Sequence, residues 1–135
     1  MVGQAPASCA ALLQAMVGFD TVNSKISGRP DAELELSCYL DALAQSLDFE
    51  TRRLPVSGEG FNLLLSHRVD DGAPWLLFES HLDTVSVEGM TLDPFAGRIE
   101  GGRLYGRGAS DTKGSGAAML WALKGYAEKG PPAAF

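Results

Sequence analysis

The sequence predicts an α/β fold, a three-layer sandwich in which helices cover both faces of a mixed sheet. Three observations lead to this prediction. Apolar residues recur at helical spacing over residues 9–47, short β-favouring runs separated by turn residues follow within 49–105, and a wide apolar helical pattern covers 113–129. With 135 residues and 45% hydrophobic side chains, the chain has the size and composition of one globular domain.

Two amphipathic helices are predicted near the N-terminus. Ser8 is the candidate N-cap of the first helix and Asp31 that of the second. The apolar positions of the first helix are Cys9, Leu12, Leu13, Met16 and Val17, and those of the second are Leu36, Leu40, Leu43 and Leu47. Each helix therefore has one face to bury against another element.

Strands are predicted in the middle of the chain. The three runs are 49–54, 61–68 and 75–81. Because the apolar run 75–78 does not alternate with polar residues, it is typical of a central strand that is covered on both faces. Two shorter runs, 98–100 and 103–105, flank Gly101-Gly102, which predicts a tight hairpin.

A longer helix is predicted from about Lys113 to Lys129. Its apolar surface is wide, which predicts deep packing against the sheet. Gly130 and the pair Pro131-Pro132 end the helix, since neither residue type continues it well.

Composition excludes several classes of protein. The formal charge is −6, from 11 basic and 17 acidic residues, and no basic cluster is present, so no nucleic-acid partner is expected. The N-terminal stretch Met1 to Ser8 carries no Lys or Arg and no long apolar run follows it, so neither a secretory signal nor a membrane span is expected. Cys9 and Cys38 have no metal-binding spacing and fall on predicted helices, which predicts buried reduced thiols and a cytoplasmic location.

The tripeptide His81-Leu82-Asp83 ends the third predicted strand. Positions two apart in a strand face the same side, so the side chains of His81 and Asp83 can meet. A neutral imidazole binds a divalent metal well when its other ring nitrogen donates to a carboxylate, and Asp83 is placed to accept that hydrogen bond. The pattern alone is also typical of an ordinary hydrogen-bonded histidine. His67, the other histidine, is predicted to be a solvated edge residue.

Asp111 lies between a glycine-punctuated strand end and the start of the last helix. One interpretation is that its carboxylate bridges two metal ions, which such sites hold about 3.5 to 4 Å apart. The other is that Asp111 caps the helix, and the residues alone leave both open. A phosphate-binding loop is excluded, because Asp111 stands where a dinucleotide fingerprint needs a third glycine and Lys113 is not followed by Ser or Thr. No G-x-S-x-G elbow is present.

Three segments, 76–85, 92–95 and 102–114, resemble the M20 family of metallopeptidases and amidohydrolases. Its members include acetylornithine deacetylase, succinyl-diaminopimelate desuccinylase, aminoacylase and glutamate carboxypeptidase. The resemblance implies a zinc-exopeptidase-like fold with two Zn²⁺ in a complete site, for which Co²⁺ can substitute. It implies that His81 binds one zinc, that Asp111 bridges the two, and that Asp83 is a catalytic residue orienting His81. It further implies a cis peptide bond between Asp111 and Thr112.

The same resemblance implies that residues 1–135 are the N-terminal part of a single catalytic domain, without the lid or dimerisation domain. In relatives the next strand, which 132–135 would enter, delivers a general-base Glu and further ligands follow. The expected function is hydrolysis of an amide bond in an N-acyl amino acid or small peptide, with this chain inactive as it stands and the full-length form a homodimer. The alternative is a non-catalytic binding or interaction domain. An incomplete sheet also predicts an unpaired edge that associates with another chain.

Overall fold

The computed structural model describes residues 5–56 and 60–130. Its elements are α1 (Cys9–Val17), α2 (Ser24–Ser27), α3 (Leu34–Ser46), β1 (Glu50–Pro55), β2 (Phe61–Ser66), β3 (Arg98–Glu100), β4 (Arg103–Tyr105) and α4 (Lys113–Lys129). The predicted α/β class is confirmed. The predictions for 1–4, for Pro131-Pro132 and for a strand entered at 132–135 lie outside the described residues. No helix among the described residues is both long and apolar enough to cross a membrane.

Helices α1 and α4 form where the sequence predicts them and pack on each other. The side chain of Ser8 caps α1 by accepting a hydrogen bond from the Ala11 N–H at 3.1 Å. Their contact belongs to a core that also includes α3. The buried members of this core are Leu12, Met16, Leu36, Leu40, Leu43, Ala44, Phe49, Ala117 and Leu120.

Helix α3 begins later than predicted. Residues 31–33 form a turn in which the carbonyl of Asp31, and not its carboxylate, accepts from the Leu34 N–H at 3.0 Å. Glu33 is the N-cap residue, and its side chain makes no capping hydrogen bond. The prediction that Asp31 caps this helix is therefore wrong, whereas the buried stripe Leu36, Leu40 and Leu43 is confirmed.

The strands form two separate two-stranded antiparallel sheets, β1 with β2 and β3 with β4. The only parallel pairing among the described residues is an isolated bridge between Val22 and Thr84. A mixed sheet is thus not formed within this part of the chain. The predicted hairpin is confirmed, with Gly101 and Gly102 at φ 57° and 74° as a tight primed turn requires.

The run 75–81 is not a strand. Its four large apolar side chains are 63–77% exposed, in contrast to the covered central strand that the sequence predicts. A central strand needs neighbours to pair its backbone and cover its side chains, and none of the described strands lies beside this run. The apolar sequence is therefore present without the partners that would bury it.

We expect this exposed run to drive self-association. Replacing Leu76 and Phe78 together with Lys should keep the chain monomeric at concentrations where the wild type associates, because the contiguous apolar surface is broken. Ile99→Lys, at a residue 50% exposed on β3, is the matched control and should leave association unchanged. Light scattering against concentration measures the effect, and a wild-type chain that stays a clean monomer would contradict it.

Both cysteines are free, as predicted, but the expected burial is wrong. Cys9 is half-buried on α1 and Cys38 is exposed on α3. The sulfur of Cys38 accepts a hydrogen bond from the Arg53 guanidinium at 3.2 Å. Cys38 lies outside the buried stripe of α3, because the helical period places it on the opposite side of the helix from Leu36, Leu40 and Leu43.

Candidate metal site

The segment after α1 holds the residues around His81 and Asp83 in place. Thr84 N–H donates to the carbonyl of Thr21 at 2.8 Å, and Asn23 N–H donates to the carbonyl of Thr84 at 2.8 Å. The hydroxyl of Thr21, which is fully buried, donates to the carbonyl of Leu82 at 2.7 Å. Residues 82–84 are therefore fixed by short backbone pairing to the segment 21–23 and not by a full sheet.

Close packing of glycines shapes the loop that carries Asp111. A Cβ on Gly106 would overlap the side chain of Val17, and one on Gly108 would lie 2.7 Å from the Thr84 side chain. Gly108 also has φ +80°, which other residues rarely adopt. The carbonyl of Gly108 accepts from the Lys113 N–H at 2.9 Å. The loop thus folds tightly onto α1 and the 82–84 segment before α4 begins.

Asp111 does not cap α4. The N-cap residue is Thr112, and no side chain makes a capping hydrogen bond there. The side chain of Asp111 is 89% exposed and faces His81. The peptide bond from Asp111 to Thr112 is cis, as the resemblance implies. Of the two interpretations of Asp111, the structure disfavours the helix cap.

The structure brings all three predicted site residues together. His81 Nε2 lies 3.3 Å from Asp111 Oδ1. On the other side of the ring, His81 Nδ1 lies 3.1 Å from Asp83 Oδ1 and 3.0 Å from the Asp83 carbonyl oxygen. Asp83 therefore offers two acceptors to Nδ1 and Asp111 offers one to Nε2, so two acceptors against one favour the proton on Nδ1 in the neutral ring.

The pKa of His81 is raised above its ordinary value of 6.5. Partial burial works against the charged form, but the hydrogen bond to the Asp83 carbonyl and the charges of Asp83 and Asp111 outweigh it. A divalent metal competes with the proton for this ring. Metal binding at His81 is therefore expected to weaken as the pH falls through the raised pKa.

The spacing of the two facing atoms fits a metal. Zinc binds nitrogen and carboxylate oxygen at roughly 2.0 to 2.2 Å, and a tetrahedral angle then separates two ligand atoms by about 3.3 to 3.5 Å. The 3.3 Å between His81 Nε2 and Asp111 Oδ1 matches that separation. No group of three or more His, Cys, Asp or Glu side chains in residues 5–56 and 60–130 is arranged to hold a metal. His81 and Asp111 therefore form part of a metal site and not a complete one.

A cleft of about 230 Å³ opens around these residues. Its lining consists of Asn23, Ile26, His81, Asp83, Thr84, Val85, Arg107 and Asp111. Arg107 brings a positive charge to the cleft, and its buried Nε has no hydrogen-bond partner among the described residues. Neither Asn23 nor Arg107 belongs to a metal-ligand pattern, so neither could be singled out from the sequence.

Lys113, in the first turn of α4, is 1% exposed. Its ammonium donates to the carbonyl of Phe19 at 2.8 Å, which ties the start of α4 to the end of α1. Burial lowers the pKa of Lys113 from 10.5 to about 8, with the charge of Asp20 acting in the opposite direction.

Replacing Lys113 with Met should remove part of the pH dependence of stability. The unfolded chain holds the Lys113 proton up to pH 10.5 and the folded chain only to about 8, so wild-type stability rises between these values and falls as the pH drops through 8. The swing is on the order of 3 kcal/mol, at 1.36 kcal/mol for each pKa unit. Urea unfolding across this range measures it, and an equal pH slope in the Met variant would contradict the assignment.

His67 is not the solvated edge residue that the sequence predicts. It is half-buried, with its ring 5.8 Å from the Phe49 ring and 6.4 Å from the Tyr126 ring, both in edge-to-face contact. Tyr126 belongs to α4 and His67 directly follows β2, and such a contact between residues far apart in sequence is not visible in the local pattern. His67 lies outside the cleft lining.

A histidine oriented by one carboxylate and facing another, on an α/β scaffold, is typical of a metal-dependent hydrolase. Residues 77–134 match the family model described as peptidase family M20/M25/M40. This match and the curated relatives below confirm the resemblance seen in the sequence, to a family of hydrolases.

Curated relatives show the same resemblance. The chain is 39% identical over 100 residues to succinyl-diaminopimelate desuccinylase of Rhodospirillum centenum, covering 70% of this chain and 26% of the relative. It is 42% identical over 92 residues to the enzyme of that name from Rhodopseudomonas palustris strain HaA2, covering 64% and 24%. A probable succinyl-diaminopimelate desuccinylase of Staphylococcus epidermidis is 32% identical over 102 residues, covering 73% and 25%. The chain spans about a quarter of the length of these relatives.

Proposed function

We propose that this chain forms part of the active site of a metal-dependent amidohydrolase, in which His81 and Asp111 are metal ligands and Asp83 orients His81. One observation carries the proposal: His81 Nε2 and Asp111 Oδ1 stand 3.3 Å apart while the opposite ring nitrogen is held by Asp83. The spacing suits a shared ion, and the held Nδ1 keeps the imidazole in the form that binds one.

The metal, when bound, would polarise an amide carbonyl and lower the pKa of water toward neutrality. The chain's own residues prepare that chemistry. Asp83 holds the His81 ring and increases its basicity, and the exposed carboxylate of Asp111 completes the pair. Arg107 places a positive charge beside the cleft, which favours a substrate with a carboxylate.

Several features of the whole protein belong to the same proposal. The substrate is an N-acyl amino acid or small peptide, the metal is Zn²⁺ with two ions in a complete site, and Co²⁺ substitutes for it. Residues 1–135 are the N-terminal part of one catalytic domain. The complete domain is a three-layer sandwich around a mixed sheet. The full-length protein is a homodimer. The cytoplasmic location rests on the two free cysteines.

An amidase assay of the longest product that the gene encodes tests the function. With zinc or cobalt added, release of free amine from N-succinyl-diaminopimelate or N-acetyl amino acids is expected. His81→Ala and Asp111→Ala should abolish it, whereas His67→Gln should retain it. Metal-independent release, or release that survives His81→Ala, would overturn the proposal. A stable product that hydrolyses none of these amides would favour the non-catalytic binding domain.

A further inference from the structure

Asn23 makes a contact at the candidate site that no sequence motif predicts. Its side-chain amide nitrogen donates to Asp83 Oδ2 at 2.7 Å, across 60 residues of sequence. The other oxygen of the same carboxylate, Oδ1, lies 3.1 Å from His81 Nδ1. A continuous line of contacts therefore runs from Asn23 through Asp83 to His81 and on to Asp111.

The orientation of the Asn23 amide is determined by its two neighbours. Its oxygen accepts from the Lys25 N–H at 3.0 Å, as the N-cap of α2. A carboxylate such as Asp83 accepts hydrogen bonds and cannot donate them when ionised, so the NH₂ group must face it. A flipped amide would set oxygen against oxygen at Asp83 and NH₂ against N–H at Lys25, losing both bonds.

The backbone of Asn23 is fixed as firmly as its side chain. Its N–H donates to the Thr84 carbonyl at 2.8 Å, beside the parallel bridge between Val22 and Thr84. The residue is half-buried in the cleft wall. Asn23 is thus anchored through its backbone to the residue next to Asp83 and holds the Asp83 carboxylate through its side chain.

We propose that Asn23 is a positioning residue that fixes the Asp83 carboxylate and, through it, holds the His81 ring with its proton on Nδ1. This inference rests on the proposed function for its purpose, since a fixed Nδ1 proton leaves Nε2 free for a metal. Without Asn23, the Asp83 carboxylate rotates more freely and the ring proton distributes over both nitrogens.

The variant Asn23→Asp separates this role from helix capping. Aspartate caps helices about as well as asparagine, so the contact to Lys25 is retained, but its carboxylate cannot donate to Asp83. Asn23→Ala removes both functions. The matched control is Ser27→Ala, which removes the hydrogen bond from the Ser27 hydroxyl to the Val22 carbonyl, 3.0 Å long and in the same segment, without touching Asp83.

The first measurement uses the metal-free chain and the ¹⁵N NMR signals of the His81 ring at a pH where the imidazole is neutral. The Nδ1–H form should dominate in the wild type and in Ser27→Ala. In Asn23→Asp and Asn23→Ala its ratio to the Nε2–H form should fall severalfold. If Asn23→Asp keeps the wild-type ratio, the positioning role is overturned, and a change in Asn23→Ala alone would assign Asn23 to capping only.

The second measurement is titration of the same variants with Zn²⁺, followed at the His81 signals. Loss of an outer partner of a ligating histidine costs about 10-fold to 100-fold in metal affinity, and we expect the lower end for Asn23→Asp, one contact further out. If the His81 ring signals of the wild-type chain do not change on addition of Zn²⁺, the proposed function is contradicted. The ratio of the Nδ1–H to the Nε2–H form would still decide the role of Asn23. Equal affinity in Asn23→Asp and Ser27→Ala would contradict the positioning role.

Discussion

Gly114→Ala should destabilise the chain by about 2 to 3 kcal/mol, the usual cost of overpacking a site that cannot move apart. Gly114 lies in the first turn of α4, where a Cβ would overlap the backbone carbonyl of Ala109. That carbonyl belongs to the loop that carries Asp111. Because a backbone atom cannot swing aside as a side chain does, the loop itself must shift.

Gly125→Ala in the same helix is the matched control. A Cβ at Gly125 meets nothing within 4 Å, so the exchange should stabilise the helix by about 0.5 to 1 kcal/mol. Urea unfolding of both variants measures the contrast. If Gly114→Ala were as stable as Gly125→Ala, the close packing between α4 and the Asp111 loop would be refuted.

His81→Ala should lower the zinc affinity of the chain at least about tenfold, since loss of even an orienting partner costs 10-fold to 100-fold at metal sites. The expected affinity of the wild type is itself weak, because the described residues supply two ligands where a closed zinc site needs four. The side chain of His81 is 53% exposed, so its removal should change stability by less than about 0.5 kcal/mol.

His67→Gln is the control for this loss, because it removes the other histidine and leaves the cleft intact. Asp111→Asn should behave like His81→Ala, because a neutral amide binds zinc more weakly than a carboxylate. Calorimetric titration with Zn²⁺ compares the four chains. Tight binding that survives His81→Ala would remove His81 from the list of ligands.

Local signals in the sequence predicted the elements that depend on local contacts. Ser8 caps α1 through a bond three residues away, and Gly101-Gly102 closes a hairpin by its own backbone conformation. The helical spacing of the apolar residues in α4 likewise predicted this helix from its own residues. The prediction of a central strand at 75–81 was wrong because the burial of an apolar strand depends on neighbouring strands, which its own residues do not specify. The prediction that Asp31 caps a helix was wrong because a turn, and not the helix, follows it directly.

The residues of the candidate site differ in the same way in how far the sequence alone points to them. The family resemblance, and not spacing alone, singled out His81, Asp83 and Asp111 as one group, and the structure places His81 between the other two. Asn23 and Lys113 were not singled out, because each acts through one long-range hydrogen bond, across 60 residues to Asp83 and across 94 residues to Phe19. An asparagine before a short helix and a lysine at a helix start are common features, and only the folded chain shows what they contact.

Anomalous diffraction at the zinc edge, from crystals of this chain grown with zinc, tests the metal assignment most directly. A peak is expected between the His81 ring and the Asp111 carboxylate, within about 2.0 to 2.2 Å of both His81 Nε2 and an Asp111 oxygen. Zinc ordered elsewhere on the chain, with His81 and Asp111 still joined only to each other, would contradict it.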